Sequence, residues 1–353
     1  MKIFALTALA AFTALLAPAA AQSGAITDSV DPLGTVDKGP FPDELNGSNF
    51  TYPWPVKLYK FKSQHQDLEM AFMDVSPSNC TGAPSNGKTA VFFHGKNFCG
   101  PTWAATAKLM LAQGYRVILP DHIGFCKSSK PITYQFSLQQ YAWNVNNLLT
   151  VLGVSNVTII GHSLGGMLAV RYGLIFPNTI DELVLVDPIG LEDWKAKGVP
   201  YLSIDDLYVT EHSSNYASIR AYEQATYYVN SWNTSYDVWV NMLVNIYSGP
   251  EGEKYAFNQA LVNDMVLDQP IVYELPILKT HTLLMIGDKD NTAIGKQWSP
   301  PAVQAILGNY PVIGQAAANA IPDCKFIQFP TLGHAPFIQD PDSFHAALFG
   351  WLN

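Results

Sequence analysis

Six short runs of this chain, at residues 89–93, 115–119, 157–160, 183–186, 282–286 and 325–329, are β-branched and almost wholly apolar. A strand with one face in water alternates polar and apolar side chains; a strand without that alternation has to be covered on both faces. Both faces are covered where helices pack on the two sides of a parallel sheet, and helix-forming stretches lie between or after these runs, at 102–113, 137–152, 163–176, 301–320 and 340–352. The expectation is therefore an α/β protein with a mostly parallel, doubly wound sheet. Two earlier segments, 56–62 and 67–73, do alternate, and read as an antiparallel pair at a sheet edge.

One connection is far longer than a crossover needs. Residues 190–275, between the strands at 183–186 and 282–286, are helix-permissive and dense in Tyr and Trp, among them Trp194, Tyr222, Tyr227, Tyr228, Trp232 and Trp239. They are expected to form an inserted, mainly helical lid on a core made of 56–189 and 276–353. Residues 22–55, rich in Gly, Pro, Asp, Ser and Asn, read as an extended lead-in.

The first 21 residues set the expected compartment. Met1-Lys2 gives a short positive start, an apolar run follows, and Ala19-Ala20-Ala21 offers small residues for cleavage, the pattern of a secretory signal. The run is shorter than the roughly 20 residues a bilayer-spanning helix needs, so a cleaved signal and a secreted protein with no membrane span are expected. Sequons at Asn46, Asn49, Asn79, Asn156 and Asn233 fit a glycosylated product. A net charge of −9 argues against nucleic acid as a partner, because phosphate backbones attract clustered Lys and Arg. No Cys-X-X-Cys pair occurs, so no metal site and no cofactor are expected; the partner is a small-molecule substrate, and the oligomeric state is left open.

Gly161-His162-Ser163-Leu164-Gly165 falls between the run at 157–160 and the helix that follows it. A serine in such a strand–turn–helix corner is lifted above the sheet, and glycines two positions either side let strand and helix approach. A hydroxyl attacks only when a base takes its proton, and the base needs an orienting acid. His334, in the loop after the last strand, is the candidate base. His65, His212, His281 and His345 lie in less suitable places, His162 is expected to point elsewhere, and His94 and His122 read as structural. Asp290, in Gly287-Asp288-Lys289-Asp290, is the candidate acid, with Asp187 at the end of the preceding strand as its rival.

Together these segments resemble the α/β-hydrolase superfamily over nearly the whole chain from about Val56. The resemblance rests on His94-Gly95, Asp121-His122-Ile123-Gly124-Phe125, the 161–165 corner, Gly287–Asp290 and Gly333-His334, in the order Ser, Asp, His. It is greatest for the capped branch with epoxide hydrolases, ester, lactone and carbon–carbon bond hydrolases, and proline iminopeptidases. It implies an oxyanion hole made by the backbone N–H groups of Lys96 and Leu164, with the Lys96 ammonium expected to be solvated. Epoxide hydrolases of this fold carry aspartate where Ser163 stands, so carbonyl chemistry is expected instead. Relatives commonly have glycine in the place of Cys126, and Cys99 lies in the neighbouring loop; a Cys99–Cys126 disulfide bracing the site mouth is expected, leaving Cys80 and Cys324 to pair by default.

The expected function is that of a serine hydrolase cleaving an ester, lactone or related carbonyl bond of a medium-sized, largely apolar substrate. A non-hydrolytic or carbon–carbon cleaving enzyme and an iminopeptidase-like peptidase are the alternatives. A binding-only protein is disfavoured because serine, acid and histidine are all present.

Overall fold

The computed structural model describes residues 33–352, so the signal expected over residues 1–21 and the first part of the lead-in lie outside the described residues. The central sheet has nine strands: β1 (Thr35–Asp37), β2 (Val56–Ser63), β3 (Gln66–Val75), β4 (Thr89–Phe93), β5 (Arg116–Pro120), β6 (Val157–His162), β7 (Ile180–Val186), β8 (His281–Gly287) and β9 (Cys324–Phe329). Their spatial order is β1-β2-β3-β5-β4-β6-β7-β8-β9. The six strands from β4 to β9 pair in parallel; β1, β2 and β3 join antiparallel at one side. The uninterrupted apolar runs are the parallel strands, and all six residues of β6 are buried.

Helices α1 (Ala104–Ala112), α2 (Leu138–Val151) and α3 (Leu164–Ile175) connect the first parallel strands. The hydroxyl of Ser137 caps α2 by accepting the Gln140 N–H at 3.0 Å, supplying a partner that the first turn of a helix lacks. Helix α3 runs almost fully buried from Leu164 to Val170 and is apolar on all sides, as a helix packed between sheet and neighbouring helix must be. From β4 the chain crosses to β5 on one side; from β6 it crosses to β7 on the other. The carboxyl ends of β4 and β6 therefore flank the point where the winding reverses, the place in such sheets where a crevice opens.

Residues 187–280 contain four long helices, α4 (Ile204–His212), α5 (Tyr216–Thr226), α6 (Asp237–Tyr247) and α7 (Gly252–Asp268). Tyr227, Tyr228, Met242, Tyr255 and Val262 belong to the same apolar core as the sheet, while Ile219, Val240 and Leu243 form a small separate cluster between α5 and α6. The insertion is thus a layer laid on the core. The last two helices are α8 (Tyr310–Ala320) and α9 (Pro341–Leu352).

Two expectations are corrected. The lead-in contributes an edge strand: β1 pairs with β2, Val36 facing Tyr59, so the 56–73 pair is not itself the edge. Three residues are too few to carry a readable alternation. The helix expected over 301–320 is broken into Pro301–Gln304 and α8, because Gly308 turns with φ +71° and donates its N–H to Glu192 Oε1 at 2.9 Å. Of the sequon asparagines, Asn49, Asn79, Asn156 and Asn233 are exposed, whereas Asn46 is half-buried and donates its amide to the Lys127 carbonyl at 2.8 Å.

Helix α5 holds an isolated acid. Glu223 is fully buried and neither carboxyl oxygen has a hydrogen-bond partner among the described residues. Burial pushes its carboxyl up to about 8, so the folded protein keeps it neutral at pH 7. Below the ordinary carboxylate range, folded and unfolded chains both hold this proton. As pH rises towards 8 the unfolded chain alone loses it, and stability falls through that window. Glu223→Gln should stabilise the protein at pH 8 by on the order of 2 kcal/mol and change little at pH 4. Thermal unfolding at the two pH values checks this; an equal shift at both would contradict it.

Candidate active site

Ser163 leaves β6 with φ 56° and ψ −119°, a conformation an L-residue adopts at a cost of roughly 1–3 kcal/mol unless its surroundings enforce it. They do. Its N–H donates to the Val186 carbonyl at 3.1 Å, and its carbonyl accepts from Gly166 at 2.9 Å and Met167 at 3.2 Å. A Cβ on Gly165 would lie 2.3 Å from the Phe93 carbonyl oxygen, and one on Gly161 2.3 Å from the Gly165 carbonyl oxygen, so strand and helix can meet only with glycine at both places. Serine ordinarily caps a helix with its hydroxyl, yet Ser163 makes no such bond to α3, and its hydroxyl is not spent on the helix.

His334 sits in the loop after β9 with no exposed surface. Its Nδ1 donates to Asp290 Oδ2 at 2.6 Å, and the other Asp290 oxygen accepts the Thr292 N–H at 2.8 Å. With the proton held on Nδ1, Nε2 is the basic nitrogen, and it is buried with no partner among the described residues. Asp187 takes another part: Oδ1 accepts the Gly287 N–H at 2.8 Å, pinning the end of β8. Burial and the neighbouring Asp290 charge hold the Asp187 carboxyl well above the usual carboxylate range, so it stays neutral while Asp290 carries the charge facing His334.

His162 was expected to point elsewhere. It does turn away from a catalytic place, but its Nε2–H donates to the His334 backbone carbonyl at 2.7 Å, with the two rings 4.7 Å apart. Burial, then His334 beside it, keep it neutral, which such an N–H donor requires no charge to do. It fastens the His334 loop to the Ser163 corner. His94 accepts the His122 N–H through Nε2 at 3.2 Å, joining the loops after β4 and β5. His281 and His345 bond to Asp323 and Thr106, away from this cluster.

The loop after β4 passes directly over Ser163: a Cβ on Gly95 would lie 3.1 Å from Ser163 Cβ. Lys96 follows, and Leu164 is the first residue of α3, where helical N–H groups lack intrahelical acceptors. Ser163 and Lys96 open on one cavity of about 350 Å³, walled on its far side by the insertion, including Tyr222, Tyr227 and Leu243. Tyr227 packs its ring 4.9 Å from that of His334 and accepts a hydrogen bond from Asn97 Nδ2 at 2.9 Å. The Lys96 ammonium is not solvated as expected: it pairs with Glu211 Oε1 of α4 at 2.7 Å, both side chains largely covered. Nothing in the sequence links residues so far apart, and only the fold brings them together.

Cys99 and Cys126, both fully buried, are joined as a disulfide between the loops after β4 and β5, with Cα atoms 5.9 Å apart. Asp121, the third member of this cluster, accepts the Gly100 N–H at 2.9 Å; with both sulfurs bonded to each other, the group offers no thiolate to a metal. The default pairing of Cys80 with Cys324 does not form. Cys80 follows β3 and Cys324 opens β9, six strand positions across the sheet, or roughly 29 Å at the usual strand spacing. Alkylation of the denatured, unreduced protein should therefore label Cys80 and Cys324 alone. Label on Cys99 or Cys126 in the peptide map would contradict this pairing.

Comparison with known proteins agrees with this geometry. The profile of the alpha/beta hydrolase fold matches residues 89–203. A crystal structure of a probable hydrolytic enzyme from Pseudomonas aeruginosa is 48% identical, covers 89% of this chain and 100% of that one, and superposes with a TM-score of 0.85. Lipase 3 of a Moraxella species is 25% identical over 300 residues, 80% of this chain and 84% of the lipase. An uncharacterised protein of Mycobacterium bovis is 38% identical over 106 residues, and this match spans only 30% of either chain. The enol-lactonase of Burkholderia xenovorans, 17% identical with a TM-score of 0.60 over 81% of this chain and 96% of its own, shares the fold. By sequence, sheet order and the Ser163 corner, the chain belongs to the α/β-hydrolase family.

Proposed function

We propose that this protein is a secreted serine hydrolase that cleaves an ester or lactone of a medium-sized, largely apolar substrate through an acyl intermediate on Ser163. The observation that carries the reading is the Asp290–His334 hydrogen bond of 2.6 Å, which leaves a basic Nε2 in the buried cluster around Ser163. In the proposed cycle Nε2 takes the Ser163 proton as Oγ bonds to the carbonyl carbon. The carbonyl oxygen becomes negative and is met by the N–H groups of Lys96 and Leu164, each worth roughly 3 kcal/mol of barrier in such sites. The C–O bond to the leaving group then breaks, and the imidazolium returns its proton to the departing oxygen. Water, deprotonated by the same nitrogen, releases the acid and restores the serine.

Substrate size follows from the cavity, whose volume of about 350 Å³ suits a molecule of modest length. Leu207, Ile219, Leu243 and Ile294 favour an apolar body. The lipase relative, matched across 80% of this chain, favours an oxygen ester over an amide. An iminopeptidase-like reading needs an uncompensated acid for a substrate ammonium. The acid in this cavity, Glu211, is already neutralised by Lys96, so that reading is disfavoured.

A panel of esters, lactones, β-diketones and aminoacyl amides tests the proposal. Wild type should turn over esters or lactones and Ser163→Ala should not; turnover confined to diketones or amides would contradict the assignment. Within the active class, Asp290→Asn should lower kcat about 10³–10⁴-fold, because it removes the acid that orients the base. Asp187→Asn, which can keep the bond to Gly287, should cost less than about tenfold. A larger loss from Asp187→Asn would transfer the acid role to that residue.

A further inference from the structure

Lys96 and Glu211 are the charged side chains lining the cavity that contains Ser163, and they are not equally satisfied. Glu211 Oε1 accepts from Lys96 Nζ and from Asn263 Nδ2, each at 2.7 Å, and Oε2 accepts from the Tyr247 hydroxyl. The carboxylate is thus held on both oxygens by three separate segments. An ammonium has three N–H donors. Among the described residues Lys96 Nζ spends one of them, on Glu211, although its side chain is only 15% exposed. Glu211 fixes the amine; it does not saturate it.

The position of this amine matters because the same residue's backbone lies over Ser163. A group reaching Nζ from a carbonyl held at Ser163 lies within a few bonds of that carbonyl. The charge balance narrows the group further. The Lys96–Glu211 pair is neutral as a unit, so a substrate carboxylate would gain one cation and meet one anion at the same place. A neutral oxygen acceptor meets no such opposition. Resting on the hydrolase reading above, we infer that Lys96 Nζ is a specificity subsite for esters or lactones bearing a neutral oxygen, such as an ether, keto or hydroxyl group, a few bonds from the scissile carbonyl. Such substrates complete the hydrogen bonding of a largely covered donor, whereas a plain hydrocarbon chain leaves it unmet, and sites of this kind discriminate strongly against the analogue lacking the acceptor.

The test uses isosteric pairs in which one methylene is exchanged for an ether oxygen. On the acyl side these are para-nitrophenyl hexanoate and the para-nitrophenyl ester of β-ethoxypropionic acid; on the alcohol side, hexyl acetate and the acetate of ethylene glycol monopropyl ether. Values of kcat/KM are divided by each ester's rate of alkaline hydrolysis, which removes intrinsic reactivity. Wild type should favour the ether member of at least one pair by about tenfold, the size of one hydrogen bond to a charged donor. Lys96→Met/Glu211→Gln removes the amine and leaves no unpaired charge, and should bring that ratio to within about twofold of unity. The ratio is the readout because it cancels whatever the substitutions do to steps common to both esters. Ratios near unity for wild type in both pairs overturn the inference whether or not the variant folds, and so does a preference that survives in the variant. Wild type turning over no ester at all overturns the hydrolase reading, and this inference with it; equal turnover of both members overturns the inference alone.

Discussion

The structure depends on how closely three backbones meet at Ser163. Strand β6 ends, α3 begins and the loop after β4 crosses above them within van der Waals contact, with carbonyl oxygens where the Cβ atoms of Gly161 and Gly165 would stand. That crowding holds Ser163 at a positive φ and keeps its hydroxyl off the helix it would otherwise cap. A strained residue persists only where neighbours over-determine it, and here the bonds to Val186, Gly166 and Met167 supply that determination. The unsatisfied N–H at the start of α3 is a product of the same corner.

The second requirement is that a buried histidine keep one nitrogen basic. Two carboxyl groups lie close enough to compete for that task, and their surroundings divide the labour. Asp290 has an N–H partner at one oxygen and His334 at the other; Asp187 is bound to a single backbone N–H, with its second oxygen unpaired, and is held neutral by burial and by Asp290. The loop bearing His334 is in turn held from beneath by His162 and from above by Tyr227 of the insertion. The insertion thus bears on the base through Tyr227 and on the Lys96 loop through Glu211, both of which also reach the cavity.

The parallel strands were legible because burial on both faces suppresses alternation, a property of each segment by itself. The 161–165 corner was legible for a similar reason: glycine spacing and a strand–helix junction are local. The edge strand β1 was not, since three residues carry no period and their pairing is decided by β2. The break at Gly308-Asn309-Tyr310-Pro311 did have a local signal in its glycine and proline, which the apolar texture of 301–320 outweighed. His162, Glu211 and the Lys96 pair had none. Their roles come from residues distant in sequence meeting in space, and a motif cannot carry that. The separation of Cys80 from Cys324 likewise follows from strand order, while Cys99 and Cys126 share a face because β4 and β5 are neighbours.

The central claim is that this buried arrangement makes one hydroxyl nucleophilic. The most direct measurement is the site and rate of covalent labelling by a fluorophosphonate, read by intact mass and peptide mapping. The account predicts a single adduct on the peptide containing Ser163, absent in Ser163→Ala, and formed at least about 100-fold more slowly in His334→Ala. An adduct mapped to another residue, or one formed undiminished in Ser163→Ala, would contradict it.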